Sequence, residues 1–169
     1  MGMWDEIARE VAQDCPDVTW DKELVGAATV RMVMRPASLD TIVATNLHAD
    51  SLSDLATALA GCLGIAPTGN IDPERRYPSM FEPIHGSAFD IMGKGLANPI
   101  GAFWSCVMML EHLGEQLAAD ALMAVIESVT AEPDLHTRDP GGSATTVQVT
   151  DAVVDRIVAR ASGARQACH

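Results

Sequence analysis

Residues 81–101 read FEPIHGSAFDIMGKGLANPIG. The stretch holds four glycines (Gly86, Gly93, Gly95 and Gly101), two prolines, a histidine and an aspartate around an apolar run. Glycine enters left-handed backbone that other residues resist, and proline fixes φ and removes a donor. A segment so rich in backbone specialists must hold something against its main chain, or must once have done so. Exposed N–H groups in such a loop can accept a phosphate. Asp90 could then bind a sugar diol, as acidic residues do when they select an unphosphorylated ribose. The other reading is a loop whose glycines only permit tight turns. Local chemistry leaves both open.

The rest of the 169 residues narrows the setting. Apolar residues make up 48% and charged residues 20%, which describes a core-forming globular chain. A formal net charge of −12 repels phosphate backbones and argues against nucleic acid as a partner. No apolar run reaches the roughly 18 residues that a bilayer span needs, because residues 96–110 are interrupted by Asn98, Pro99 and Ser105. The N-terminal MGMWDEIAREV carries acids and no apolar core, so no signal peptide is expected. Cys15, Cys62, Cys106 and Cys168 form no CxxC pair, and they read as reduced thiols in a cytoplasmic protein.

Periodicity places the elements. Trp4, Ile7, Ala8 and Val11 predict an amphipathic helix over 3–14. CPDVTW reads as a turn and a short strand, and ELVGAATVRMVM as a helix stopped before Pro36. DTIVAT reads as a buried parallel strand. SLSDLATALAGCLG reads as a helix ended by Gly64, and IAPTGNIDPERRYPSM as a turn-rich loop with DPERR a solvated charge cluster. Helices follow over 97–117, apolar on nearly all sides and therefore expected to be buried, and over 118–131. After the loop PDLHTRDPGGSAT, VTDAVVDRIVAR closes the chain as a helix. There Thr150 is the expected N-cap, Val149 and Val154 a staple, and Val153, Val154 and Ile157 one face. The fold class is α/β, helix-rich, with a small mostly parallel sheet. Three or four strands cannot cover so many apolar helices, so either the helices bundle or another chain completes the sheet.

Three further groups can carry chemistry. Asp50 and Asp54 share one helix face at i, i+4, after a strand, where such folds bind ligands. They suit Mg²⁺ or Mn²⁺, or equally a helix cap and a first-turn acid on the dipole. His48 reads as a general base or metal ligand, or as an ordinary partly exposed histidine. His85 is a packing group or a ligand contact. His112 reads as structural, and Cys62 and Cys106 as small core residues.

TNLHADSLSDLATALAGCLGIAP, RRYPSMFEPIHGSAFDIMGKGLANPIG, WSCVMMLEHLGE and DPGGSATTVQVTDAV together resemble the C-terminal half of the isocitrate/isopropylmalate dehydrogenase superfamily. The tartrate dehydrogenase/decarboxylase and 3-isopropylmalate dehydrogenase branch is the nearest. The resemblance implies homodimeric, NAD- and Mg- or Mn-dependent oxidative decarboxylases of 2-hydroxy acids. It implies that Asp50 and Asp54 are the metal aspartates and that Glu82, His85, Gly86 and Ser87 face the dinucleotide. Asp90 would hold the adenosine ribose, favouring NAD, and Asn98 would contact adenine.

The departures are as informative. The resemblance begins midway through the family. Its N-terminal strands, the arginines that clamp substrate carboxylates, and the tyrosine and lysine that move protons have no counterpart. Gly26 stands where a third metal aspartate is expected, His48-Ala49 where an aromatic-glycine pair is expected, Phe89 for a proline and Met92 for a small residue. Proline replaces leucine in DPGGSA. Each acid–base group is typically worth ~10²–10⁴ in rate. The expectation is a truncated, isopropylmalate dehydrogenase-like domain, with 1–50 a remnant of the dimerisation lobe and 51–169 of the cofactor lobe. It would have lost the dehydrogenase activity and been repurposed for binding, assembly or non-redox chemistry in a biosynthetic pathway, with NAD and metal binding weakened or lost. The alternative is half of a split enzyme completed by a separately encoded N-terminal chain. New catalysis by His48 with Asp50, Asp54 and Cys62 is a third reading. The expected partners are a second copy, forming a homodimer, or that complementary chain, with no nucleic acid and no membrane.

Overall fold

A computed structural model describes residues 2–61 and 64–166. Cys62 and Cys168 lie outside the described residues, so the expectations placed on them have no structural counterpart. The chain divides into two compact units, Met1–Leu52 and Ser53–His169.

The first unit carries α1 (Gly2–Asp14), α2 (Val25–Met34), a 3₁₀ turn at Pro36–Ser38 and the start of α3 (Asn46–Leu59). α1 and α2 form where periodicity puts them. The Arg31 guanidinium ties the C-terminal turn of α2 to its flanks. It reaches Asp21 at 3.0 Å and Glu23 at 3.2 Å, and donates to the Ser38 hydroxyl at 3.0 Å and carbonyl at 2.8 Å. Lys22 pairs with Asp5. Yet α1 buries no residue, and Trp4, Ile7, Val11, Val30, Val33 and Met34 all remain exposed. Met32 and Leu52 are the buried hydrophobic residues of this unit.

Two strand expectations fail here. CPDVTW keeps its turn but forms no strand, and DTIVAT runs without a ladder partner, with Val43 82% exposed. An apolar run becomes a strand only when a neighbour takes up its N–H and C=O groups, and the described residues offer DTIVAT none.

The second unit has the core. β1 (Pro67–Asn70) and β2 (Met80–Pro83) pair antiparallel, with Gly69 opposite Phe81. The helix-rich class with a small sheet therefore holds, but the sheet is antiparallel instead of mostly parallel. β1 arises inside a segment that reads as pure loop. PTGN has poor strand propensity, and what makes it a strand is its partner. Gly69 in particular leaves room for the Phe81 ring, which a Cβ there would meet at 3.1 Å.

Both strands pack on α4 (Ile100–Leu113), α4 packs on α5 (Gln116–Thr130), and α5 on α6 (Thr146–Gln166). Ile100, Val107, Ala119, Val125, Ile126, Val129, Ala144, Val149 and Val153 make one buried cluster. Each fully buried valine there contributes about 1.5–3 kcal/mol relative to exposure. α4 is shorter than expected, stopped by left-handed Gly114 (φ 84°). It is also not buried on all sides, since Cys106, Met109 and Leu113 are exposed. Nothing among the described residues covers that face, so Cys106 is a surface thiol and not a core residue.

α6 begins four residues before the expected cap. Thr145 and Gln148 form a reciprocal capping pair. Gln148 N–H donates to Thr145 Oγ1 at 3.2 Å, and Thr145 N–H donates to Gln148 Oε1 at 2.8 Å. Such a cap is worth about 1 kcal/mol. Thr150 lies inside the helix, where its hydroxyl donates to the Thr146 carbonyl at 2.8 Å. Ala144 and Val149, both buried, take the staple positions that Val149 and Val154 were expected to hold. Val153 faces the core, while Val154 and Ile157 are exposed. The cap lies five residues earlier than expected, at Thr145, and the buried face of α6 carries Val149 and Val153.

The DPERR segment is more ordered than a solvated cluster. Asp72 accepts the N–H groups of Glu74 (3.2 Å), Arg76 (2.7 Å) and Tyr77 (2.8 Å), and its own N–H donates to Ser79 Oγ at 3.1 Å. Arg75 donates to the carbonyl of His112, whose ring stands 5.6 Å from Phe81. The Tyr77 N–H above all, then those of Arg76 and Glu74, hold the Asp72 carboxyl below the usual carboxylate range against the opposing effect of desolvation. A depressed folded pKa stabilises the loop fully above the ordinary carboxylate pKa of about 3.9, and that support is lost as pH falls through the lowered value. Amide exchange at Arg76 and Tyr77, corrected for its intrinsic pH dependence, should accelerate in acid. Asp72→Ala should leave both amides fast at every pH. Protection in the parent that stays level down to pH 2 would contradict this.

Candidate functional site

The loop that follows β2 is held at both ends and open between them. At its start Ile84 N–H donates to the Ala66 carbonyl at 3.1 Å. At its end Thr146, the first residue of α6, takes two carbonyls: its N–H donates to Gly95 O at 2.9 Å and its hydroxyl to Ala97 O at 2.6 Å. Between these anchors run tight turns, with Ile91 N–H on Ala88 O and Lys94 N–H on Ile91 O. Gly86, Gly93 and Gly95 adopt φ of 64°, 73° and 66°, and a Cβ at any of them would meet nothing within 4 Å. Their role is therefore conformational. The backbone faces open space, as a cradle for a ligand requires.

Glu82 is exposed on β2, opposite Thr68. His85 is half-buried and donates from Nδ1 to the Gly86 carbonyl at 2.9 Å. Ser87 and Asp90 are exposed on the turns. Phe89 and Met92 are 81% and 59% exposed.

Asn98 differs from these. It is buried, with Nδ2 donating to Asp139 Oδ2 at 3.0 Å and Oδ1 accepting Ile100 N–H at 3.0 Å. Its amide starts α4 and ties it to the DPGG turn. Asp139 also accepts the hydroxyl of buried Thr137. Asn98, Thr137, His136 and Pro140 border a cleft of about 240 Å³. Sequence reasoning passed over Asp139 and Thr146. The T-x-x-Q pattern at 145–148 was the available signal for α6, and nothing local pointed to Asp139.

Asp50 and Asp54 lie one turn apart on α3, both exposed, with half-buried His48 in its first turn. Among the described residues no group of three or more His, Cys, Asp or Glu side chains is arranged to hold a metal. Two carboxylates alone leave Mg²⁺, which demands octahedral coordination, short of ligands. The residues present do not by themselves fit a divalent-metal site.

The isocitrate/isopropylmalate dehydrogenase family profile matches residues 1–157. The chain belongs to the isocitrate/isopropylmalate dehydrogenase family. It is 69% identical over 157 residues to a probable tartrate dehydrogenase/decarboxylase of Agrobacterium vitis, covering 93% of this chain and 44% of that protein. It is 46% identical over 158 residues to the decarboxylating D-malate dehydrogenase of Escherichia coli, covering 90% and 44%. Among solved structures, isocitrate dehydrogenase from Methylococcus capsulatus superposes with a TM-score of 0.83 at 40% identity, over 92% of this chain and 46% of that one. The chain thus spans about 44% of the length of these curated relatives. No described helix of this family member is long and apolar enough to cross a membrane.

Proposed function

We propose that these residues form the dinucleotide-binding portion of an NAD- and Mg- or Mn-dependent, cytoplasmic oxidative decarboxylase of hydroxy-diacids of the tartrate or malate kind, and that they do not turn over substrate by themselves. The observation that carries the reading is the open, anchored loop 84–98 on a chain 69% identical to a tartrate dehydrogenase/decarboxylase. Glu82, His85, Gly86, Ser87 and Asp90 would hold NAD, with Asn98 at the adenine end through its backbone, since its amide is committed to Asp139 and Ile100. NAD, when bound, supplies the acceptor for the substrate hydride. The carboxylate-gripping and proton-moving groups would come from a further segment corresponding to the portion of the relatives beyond this match. The same segment, or a second copy, would cover the exposed Trp4, Ile7, Val11 and Val33 of the first unit. Residues 1–50 would then belong to a dimerisation lobe and 51–169 to a cofactor lobe.

The 169-residue chain, given NAD, Mn²⁺ and tartrate or malate, should produce no NADH by absorbance. The same chain co-expressed with the N-terminal segment of the Agrobacterium vitis relative should turn over, and should sediment as a complex and not as a monomer. Robust NADH production by the chain alone would refute the reading.

A second reading is favoured by Gly26, which stands where the resemblance places a third metal carboxylate, and by the lack of a three-donor group among the described residues. In it the chain serves binding, assembly or non-redox chemistry around His48, Asp50 and Asp54. A co-expressed pair that assembles yet yields no NADH would favour this second reading.

A further inference from the structure

We infer that Thr146 is a positioning residue for the dinucleotide loop, an inference that rests on the NAD-binding reading above. In the main chain from Gly93 to Asn98, Lys94 N–H bonds back to Ile91 O and Asn98 is held by Asp139 and Ile100, with Gly95 and Ala97 lying between these points. Gly93 and Gly95 both sit at positive φ with open space around them. A two-glycine hinge of this kind has many alternative conformations, and its ordering must come from outside. Thr146 supplies that order from two atoms of one residue. Its N–H takes the Gly95 carbonyl and its hydroxyl takes the Ala97 carbonyl, so the strand of loop between them is fixed in both position and rotation.

Thr146 can do this because it is itself held. As the first residue of α6 its N–H has no partner within the helix, and is free to point outward. The Thr145–Gln148 capping pair sets the direction of that first turn, and Val149 and Val153 bury the helix behind it. The chain of support therefore runs from the core, through the start of α6, to the carbonyls of Gly95 and Ala97. Asn98 sits at the next position and is fixed separately by Asp139 and Ile100. With both limbs pinned, the turn that carries Asp90 closes on a defined frame. The proposed role of Thr146 is exerted through the carbonyls of Gly95 and Ala97.

The test compares the parent with Thr146→Val, which keeps the shape and the backbone N–H and removes the hydroxyl, and with Thr146→Ser, which restores it. NAD affinity is measured by titration calorimetry, and amide exchange across residues 93–98 by mass spectrometry. One hydrogen bond of ordinary strength predicts a rise in the NAD Kd of about 2–12-fold in Thr146→Val, with faster exchange across 93–98 and recovery of both in Thr146→Ser. A merely structural threonine would lower the melting temperature and leave the Kd unchanged, so a Thr146→Val chain that binds NAD as the parent does overturns the inference. A parent that binds no NAD overturns the reading beneath it. Faster exchange in Thr146→Val would then show that the anchor exists without the cofactor role.

Discussion

Gly142→Ala should lower the melting temperature by about 6–12 °C or remove the chain from the soluble fraction. A Cβ on Gly142 would stand 2.0 Å from the carbonyl oxygen of His136, 2.5 Å from its Cβ and 2.6 Å from its carbonyl carbon. Two of these are backbone atoms and cannot swing away as a side-chain tip can. The turn is also closed by bonds that resist expansion. Gly142 N–H donates to Thr137 O at 2.8 Å, Gly141 N–H to Arg138 O at 3.0 Å, and Ala144 N–H to His136 O at 2.9 Å. To admit the methyl group the DPGG turn must open, which disturbs Thr137, Asp139 and the start of α6 together. The cost belongs at the upper end of overpacking, about 3 kcal/mol. For a domain of this size each kcal/mol moves the melting temperature by about 2–4 °C. Gly163→Ala is the control. A Cβ there meets nothing within 4 Å, the residue is helical and exposed, and the change should be neutral or slightly stabilising. A Gly142→Ala chain melting within a degree or two of the parent would show that the turn is looser than its bond network implies.

Asp90→Ala should weaken NAD binding by about 10–150-fold while leaving the melting temperature in place. Asp90 is exposed on a turn closed by the backbone bond from Ile91 N–H to Ala88 O, so closure of that turn does not call on its carboxylate. If it receives the two ribose hydroxyls, its removal takes away hydrogen bonds to a charged acceptor, worth about 1.5–3 kcal/mol. The loss of negative charge should at the same time reduce discrimination against a 2′-phosphate, so NADP affinity should fall less or rise. The measurement is a pair of titrations, NAD and NADP, on parent and variant. Equal NAD affinity in both would remove Asp90 from the site and leave the loop without its expected selector.

These two residues also mark how far a sequence can be read. The loop 84–98 was legible because glycine and proline act on their own φ, a property that needs no neighbour. Gly86, Gly93 and Gly95 are left-handed, as their density suggested. The helices were legible for a similar reason, since apolar spacing is set within each segment. Their ends were less so. α6 starts at Thr146 and not near Thr150, although the Thr145–Gln148 pattern stood in the sequence. The apolar valines downstream drew the cap toward them. Asn98, which the resemblance places at adenine, has its amide joined to Asp139, 41 residues later. No local pattern carries a contact of that separation.

Backbone preference and apolar periodicity, both short-range, were enough to set out α1 to α6 and the shaped loop, while the family resemblance rested on the motif sequences themselves. Tertiary structure alone decided that PTGN would be a strand and DTIVAT would not, and that Thr146 would hold the loop's far limb. A strand exists only where a partner takes its hydrogen bonds, and an anchor only where distant segments meet. Neither is a property of the residues that form it.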